Sequence, residues 1–232
     1  MKHIRRADDR GHTRTGWLNS RHSFSFGQYY DPEFRGLRAL RVLNDDIIQP
    51  GTGFGEHSHR DMEIISYVVR GALAHSDSMG NEDVIHAGDI QRMTAGTGVR
   101  HAEYNHYDDR ETRFLQIWIP PDEQGLEPGY EQRHFDRDGR AGKLTLLVAP
   151  GGSDGALDIH RDVRIVGGML EAGDTATYEL AEHRHGWVQI VEGHVRIDGS
   201  DLLEGDGLAV SDIDELQFEA AQDAEFLIFD LP

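Results

Sequence analysis

The chain has 232 residues, enough for one large domain or two small ones, with 38% apolar and 28% charged side chains. Its 42 acidic residues against 23 basic ones give a formal charge of -19, which argues against direct binding of nucleic-acid phosphates or anionic lipid. Cysteine is absent, so disulfides, thiolate metal ligands and thiol catalysis are excluded.

The start, Met1-Lys2-His3-Ile4-Arg5-Arg6, carries charge with no apolar stretch behind it and does not read as a secretory signal. No later run approaches the ~20 apolar residues of a membrane span, so a cytoplasmic location is expected. The first chemistry-bearing motif is Glu56-His57-Ser58-His59. The apolar run Glu63–Val69 follows, then Gly71, a hairpin-like Met79-Gly80-Asn81, Ala87-Gly88-Asp89, and the segment His101-Ala102-Glu103. In an extended strand, side chains at i and i+2 share a face. Each pair can therefore aim both groups at one point. Two such strands facing each other across a barrel would offer His57, His59, His101 and Glu103 to one divalent metal.

Phe114–Ile119 reads as another strand. Pro120–Tyr130, with its Pro, Gly and charge, cannot sustain a central strand and marks the boundary between halves. The expected division is an N-terminal domain over 1–120 carrying the metal site, a connecting segment over 121–142, and a C-terminal domain over 143–232 without metal. The second half resumes at Lys143–Val148 and repeats the order of the first. His183-x-His185 leads into Trp187–Val191, then Gly193, Val195–Gly199 and Glu204-Gly205-Asp206. Val210-Ser211-Asp212 brings no histidine where the first half has His101, so only the first copy completes a ligand set. Short runs bounded by Gly, Asp and Asn, with little helical periodicity, predict an all-β fold of two antiparallel barrels and few short helices.

Several long motifs carry a resemblance. Arg10-Gly11-His12 and Gly16-Trp17-Leu18 come first, then His22-Ser23-Phe24-Ser25-Phe26, Tyr29-Tyr30-Asp31-Pro32 and Arg41–Asp46. His57–Glu63 and Thr94–Tyr104 complete the set. In this order they resemble the pirin-like bicupins over essentially the full length, including bacterial members described as quercetin 2,3-dioxygenases. The resemblance implies His57, His59, His101 and Glu103 as ligands, with the carboxylate in the His-Ala-Glu motif. Other cupins place it soon after His-x-His, where Glu63 stands. On an extended strand Glu63 would share the facing parity of His59 but lie about 13 Å further along.

The other histidines are expected to be surface or hydrogen-bonding residues: His22, His75, His86, His106, His134 and His160. His22 stands out by its aromatic neighbours Phe24 and Phe26. His183 and His185, with Arg184 between them, are not expected to bind metal. Three imidazoles and a carboxylate suit Fe(II), Mn, Co, Ni, Cu or Zn, and the resemblance favours Fe(II). It implies a dioxygenase that opens flavonols such as quercetin with dioxygen and releases carbon monoxide. Glu103 would serve as ligand and general base, against an apolar wall of Phe24, Phe26, Tyr67 and Met93. The alternative it implies is a metal-dependent regulatory protein that engages a protein partner without turnover.

Overall fold

Alternation along single strands builds the molecule. In the computed structural model, which describes residues 1–232, Ile64, Ser66 and Val68 of strand Glu63–Arg70 face one way, and Ile65, Tyr67 and Val69 the other. The first face lines the inside of an N-terminal barrel. The second packs against the other half of the molecule.

Each half is a seven-stranded sheet closed by a four-stranded one. In the N-terminal half the large sheet runs Gly129–His134, Asp89–Thr94, Glu63–Arg70, Thr112–Ile119, Val42–Ile48, Leu18–His22, Gly11–Arg14. The small sheet runs Gly53–His59, Val99–Asn105, Ala72–Asp77, Glu82–His86. The C-terminal half repeats this plan. Its large sheet is Lys2–Arg5, Gly207–Ser211, His185–Glu192, Ala224–Leu231, Arg164–Leu170, Lys143–Ala149, Leu157–Asp158, and its small sheet is Thr175–Glu179, Glu215–Ala220, His194–Ile197, Ser200–Leu203. Pairings are antiparallel except the two-residue contact between Val148-Ala149 and Leu157-Asp158. Helix is confined to one turn at Arg137–Arg140 and 3-10 turns at Ala7–Asp9 and Pro150–Gly155. The chain is thus an all-β bicupin, two barrels with few short helices.

Two strands cross the division drawn at 120 and 143. Lys2–Arg5 pairs with Gly207–Ser211 in the C-terminal barrel, and Gly129–His134 of the connecting segment pairs with Asp89–Thr94 in the N-terminal one. The N-terminal end thus lends an edge strand to the C-terminal barrel and the connecting segment lends one to the N-terminal barrel, which covers two sheet edges.

The two large sheets meet face to face across a seam of 22 buried residues, including Phe24, Leu43, Tyr67, Leu115, Leu147, Trp187 and Phe229. Inside the C-terminal barrel, 16 buried apolar residues form one continuous core. Inside the N-terminal barrel the apolar core is split, into five residues around Phe114 and three around Met93. Polar side chains occupy the space between them.

Candidate metal centre

Strands Gly53–His59 and Val99–Asn105 are hydrogen-bonded neighbours, with His101 directly opposite His57 and Val99 opposite His59. The two motifs therefore lie side by side in the small sheet. They do not face each other across the barrel, as the spacing alone suggested. Both i, i+2 pairs still point inward. Gly55 and Glu56 stand opposite the single Ala102, a bulge that re-aims the strand beside the site. Gly53 must be glycine here, because a Cβ would sit 2.2 Å from the Glu103 carbonyl oxygen.

The three imidazoles converge. Ring centroids are 4.5 Å apart for His57 and His101, 4.8 Å for His57 and His59, and 5.0 Å for His59 and His101. The Gly55 carbonyl accepts from His57 Nδ1 at 2.8 Å, which leaves the Nε2 lone pair free. That atom lies 3.1 Å from His101 Nε2. About 3 Å is also the separation of two adjacent donors on a metal with bonds of ~2.1 Å. His59 Nε2 and His101 Nδ1 are buried without a hydrogen-bond partner. Burial holds His59 down at about 4 and His101 at about 3, each lowered further by its neighbouring imidazoles. Both rings are thus neutral donors at physiological pH, and the set fits a divalent cation.

Glu103 is fully buried, directly opposite His75 on the neighbouring strand. Ser66 Oγ donates to its Oε1 and Gln116 Nε2 to its Oε2, both at 3.1 Å. Burial pushes its carboxyl up to about 7, with the Ser66 bond opposing. Its ligand atoms cluster with those of His101 and His75, whereas His57, His59 and His101 form their own cluster. His101 belongs to both.

His75 is the residue that spacing undervalued. It is buried, and both its nitrogens are engaged: Gln91 Nε2 donates to Nδ1 at 3.0 Å, and Nε2 lies 3.2 Å from Asp77 Oδ2. That leaves it no free lone pair, so it acts as a wall beside Glu103. His-x-Asp at 75 and 77 was the available signal. His22 is also buried, with Nδ1 donating to Asn44 Oδ1 and Nε2 accepting from Thr13 Oγ, each at 2.8 Å. Asn44, Gln116, Ser66 and Gln91 stand opposite one another on successive strands. They form a polar row that holds His22, Glu103 and His75.

Glu63 does not reach the site. The chain turns at Arg60-Asp61-Met62, with Asp61 in the left-handed region (φ 50°), so the extended-strand parity breaks. Glu63 faces the seam instead, where it accepts from Thr94 Oγ at 3.1 Å and lies 3.4 Å from His160 Nδ1. His183 is exposed and His185 Nδ1 bonds Ser211 Oγ at 2.7 Å. By strand pairing, His185 opens the strand equivalent to Glu63–Arg70, so the His-x-His repeat read from the sequence was out by one strand.

Of the expected apolar wall, Phe24 and Tyr67 lie in the seam, Phe24 against Trp187 and Tyr67 bonded to Glu225 and Arg140. Phe26 and Met93 are on the site's side. Trp118, which spacing did not single out, packs edge-on against His59 at 4.8 Å and against Phe26 at 5.4 Å.

The chain matches two family models, "Pirin" over residues 3–119 and "Quercetinase C-terminal cupin domain" over residues 146–231. It is 46% identical over 232 residues to a quercetin 2,3-dioxygenase of Escherichia coli K12, covering 100% of this chain and 99% of that one. The crystal structure of YhhW from Escherichia coli superposes with a TM-score of 0.97 at 45% identity, covering 100% and 98% of the two chains. A nickel(II) complex of the bacterial pirin YhhW gives 0.96 at 44% identity, covering 100% and 99%.

Proposed function

This chain belongs to the pirin family, and from that premise we propose that it is a metal-dependent dioxygenase that opens flavonols such as quercetin with release of carbon monoxide. The observation that carries the reading is the convergence of three imidazoles beside a buried carboxyl poised near neutrality. His57, His59, His101 and Glu103 would hold the ion, with Fe(II) the first candidate. The nickel(II) complex of a relative at 44% identity supports the binding of a divalent metal by this chain.

A bound divalent metal would supply a Lewis-acidic centre that polarises a substrate oxygen. The chain's own residues do the rest. His59 and His101 stay unprotonated because burial keeps their pKa values far below neutrality. Glu103 accepts the proton of the flavonol 3-hydroxyl on a carboxylate oxygen, which makes the ring electron-rich enough to react with dioxygen. Ser66 and Gln116 fix the carboxylate while it does so. Two C–C bonds of the heterocycle break, both atoms of dioxygen enter the ester product, and one ring carbon leaves as carbon monoxide.

The test is anaerobic reconstitution with Fe(II), Mn(II), Co(II), Ni(II), Cu(II) or Zn(II), followed by quercetin and dioxygen. Loss of the flavonol absorption band with stoichiometric carbon monoxide is expected for at least one metal. No turnover with any of them would overturn the dioxygenase and leave the metal-dependent interaction protein.

A further inference from the structure

Trp118 packs against the ligand candidate His59 at a ring-centroid distance of 4.8 Å. Its indole Nε1–H is buried and has no hydrogen-bond partner. Buried donors are almost always paired, so an orphan beside a binding centre points to an acceptor supplied from outside the chain. The ring stands edge-on to His59 (4.8 Å, 81°) and edge-on to Phe26 (5.4 Å, 81°), and Phe26 in turn lies 5.3 Å from the buried ring of His22. Met62 and Met79, both half-buried, pack with Trp118 against the Ile64, Met93 and Val99 cluster. Three of the chain's five methionines therefore gather at this end of the barrel. Thioether side chains are flexible and polarizable and favour contact with aromatic rings. They suit a wall that adapts to a flat ligand.

The C-terminal barrel shows the same position closed. Strand pairing makes Asp230 the counterpart of Trp118, since Trp118 lies opposite Ile64 and Asp230 opposite the equivalent Gly186. Asp230 is locked by Arg184 and by Tyr178 Oη at 2.8 Å. One barrel fills this position with an ion pair. The other leaves an aromatic ring and a spare donor.

We infer that Trp118 is the ligand-reading residue of this centre: its N–H donates to an oxygen of a flat aromatic ligand held beside His59, and Phe26, Met62 and Met79 supply the adaptable wall. The identity of that ligand as a flavonol rests on the proposed dioxygenase reading; the role of Trp118 does not.

The experiment titrates Co(II)-loaded protein under argon with quercetin and, separately, with tropolone, a small flat aromatic chelator, following the ligand absorption bands. Trp118→Phe keeps an aromatic ring and removes the donor, and should weaken binding about tenfold. Trp118→Leu removes both and should weaken it about a hundredfold. Cobalt content and the ligand-free cobalt spectrum should match wild type in both, which separates lost recognition from a damaged centre. Phe26→Leu, further from the ligands, should weaken binding several-fold and provides a second arm if Trp118 variants fold poorly. Unchanged affinity in Trp118→Phe, or in Phe26→Leu when that arm is needed, would overturn the inference. If wild type binds tropolone with the expected losses but not quercetin, the inference stands and the flavonol reading falls. Binding of neither probe would overturn both.

Discussion

The two barrels share one strand plan and differ in what they keep inside. Matched by strand pairing, His59 and His101 of the first correspond to Leu180 and Leu216 of the second, Glu103 to Phe218, and His75 to Ile197. The polar row fares likewise. Ser66, Gln91, Gln116 and Asn44 correspond to Val188, Leu208, Ile228 and Val166. All eight counterparts belong to the continuous C-terminal core. A barrel interior is filled either by an apolar core or by a polar network whose members satisfy one another, and this chain contains one of each. The candidate metal centre thus involves the whole inward face of the large sheet as well as the four candidate ligands.

The comparison breaks most visibly at the ligands. Replacing His101 or Glu103 by Ala should abolish stoichiometric metal, measured by mass spectrometry, while circular dichroism shows a folded chain. The equivalent truncation in the other barrel should do the opposite. Phe218 is buried and stacked on Phe226 at 4.7 Å, so Phe218→Ala should cost about 3–5 kcal/mol in urea unfolding and leave metal content at wild-type level.

Titration separates the barrels next. Burial lifts Glu103 from 4.5 to about 7, so in metal-free protein its contribution is fully present below pH 4.5 and is lost as pH rises through 7. His59 and His101 are depressed from 6.5 to about 4 and about 3, so theirs is present above pH 6.5 and lost as pH falls through those values. Metal-free Glu103→Gln should therefore exceed wild type in stability by up to roughly 3 kcal/mol at pH 8 and hardly at all at pH 4.5. Equal stabilities at both pH values would show that Glu103 is not held in a desolvated site.

A smaller effect sharpens the role of the polar row. Ser66→Ala and Gln116→Leu, which move the first barrel toward the second, should each weaken metal binding about 10- to 100-fold in a competition titration. The smallest effect belongs to His183 and His185. Their replacement by Ala should leave metal stoichiometry unchanged.

Much of this arrangement is legible in the amino-acid sequence because strands have a period of two. That period aligns His57 with His59 and His101 with Glu103, while Glu63–Arg70 and Thr112–Ile119 read as strands from short, nearly continuous apolar runs that are buried on both faces. What it hides is everything set by strand order. The neighbouring placement of the two motifs, the exchange of edge strands and the true counterpart of His57-Ser58-His59 (Tyr178-Glu179-Leu180) depend on which strands pair. Glu63 misleads because one left-handed residue, Asp61, resets the parity. Gln91, Gln116 and Trp118 carry no motif of their own, and His75 only the short His-x-Asp; all four gain meaning from what stands opposite them.

The central claim is one metal centre, in the N-terminal barrel, built on His101 and completed by Glu103. A crystal of metal-loaded protein measured at the absorption edge of the bound metal tests it directly. The account predicts one anomalous peak per chain, within bonding distance of His57, His59, His101 and Glu103. A peak ligated by His75 in place of Glu103, or one beside His183 and His185, would contradict it.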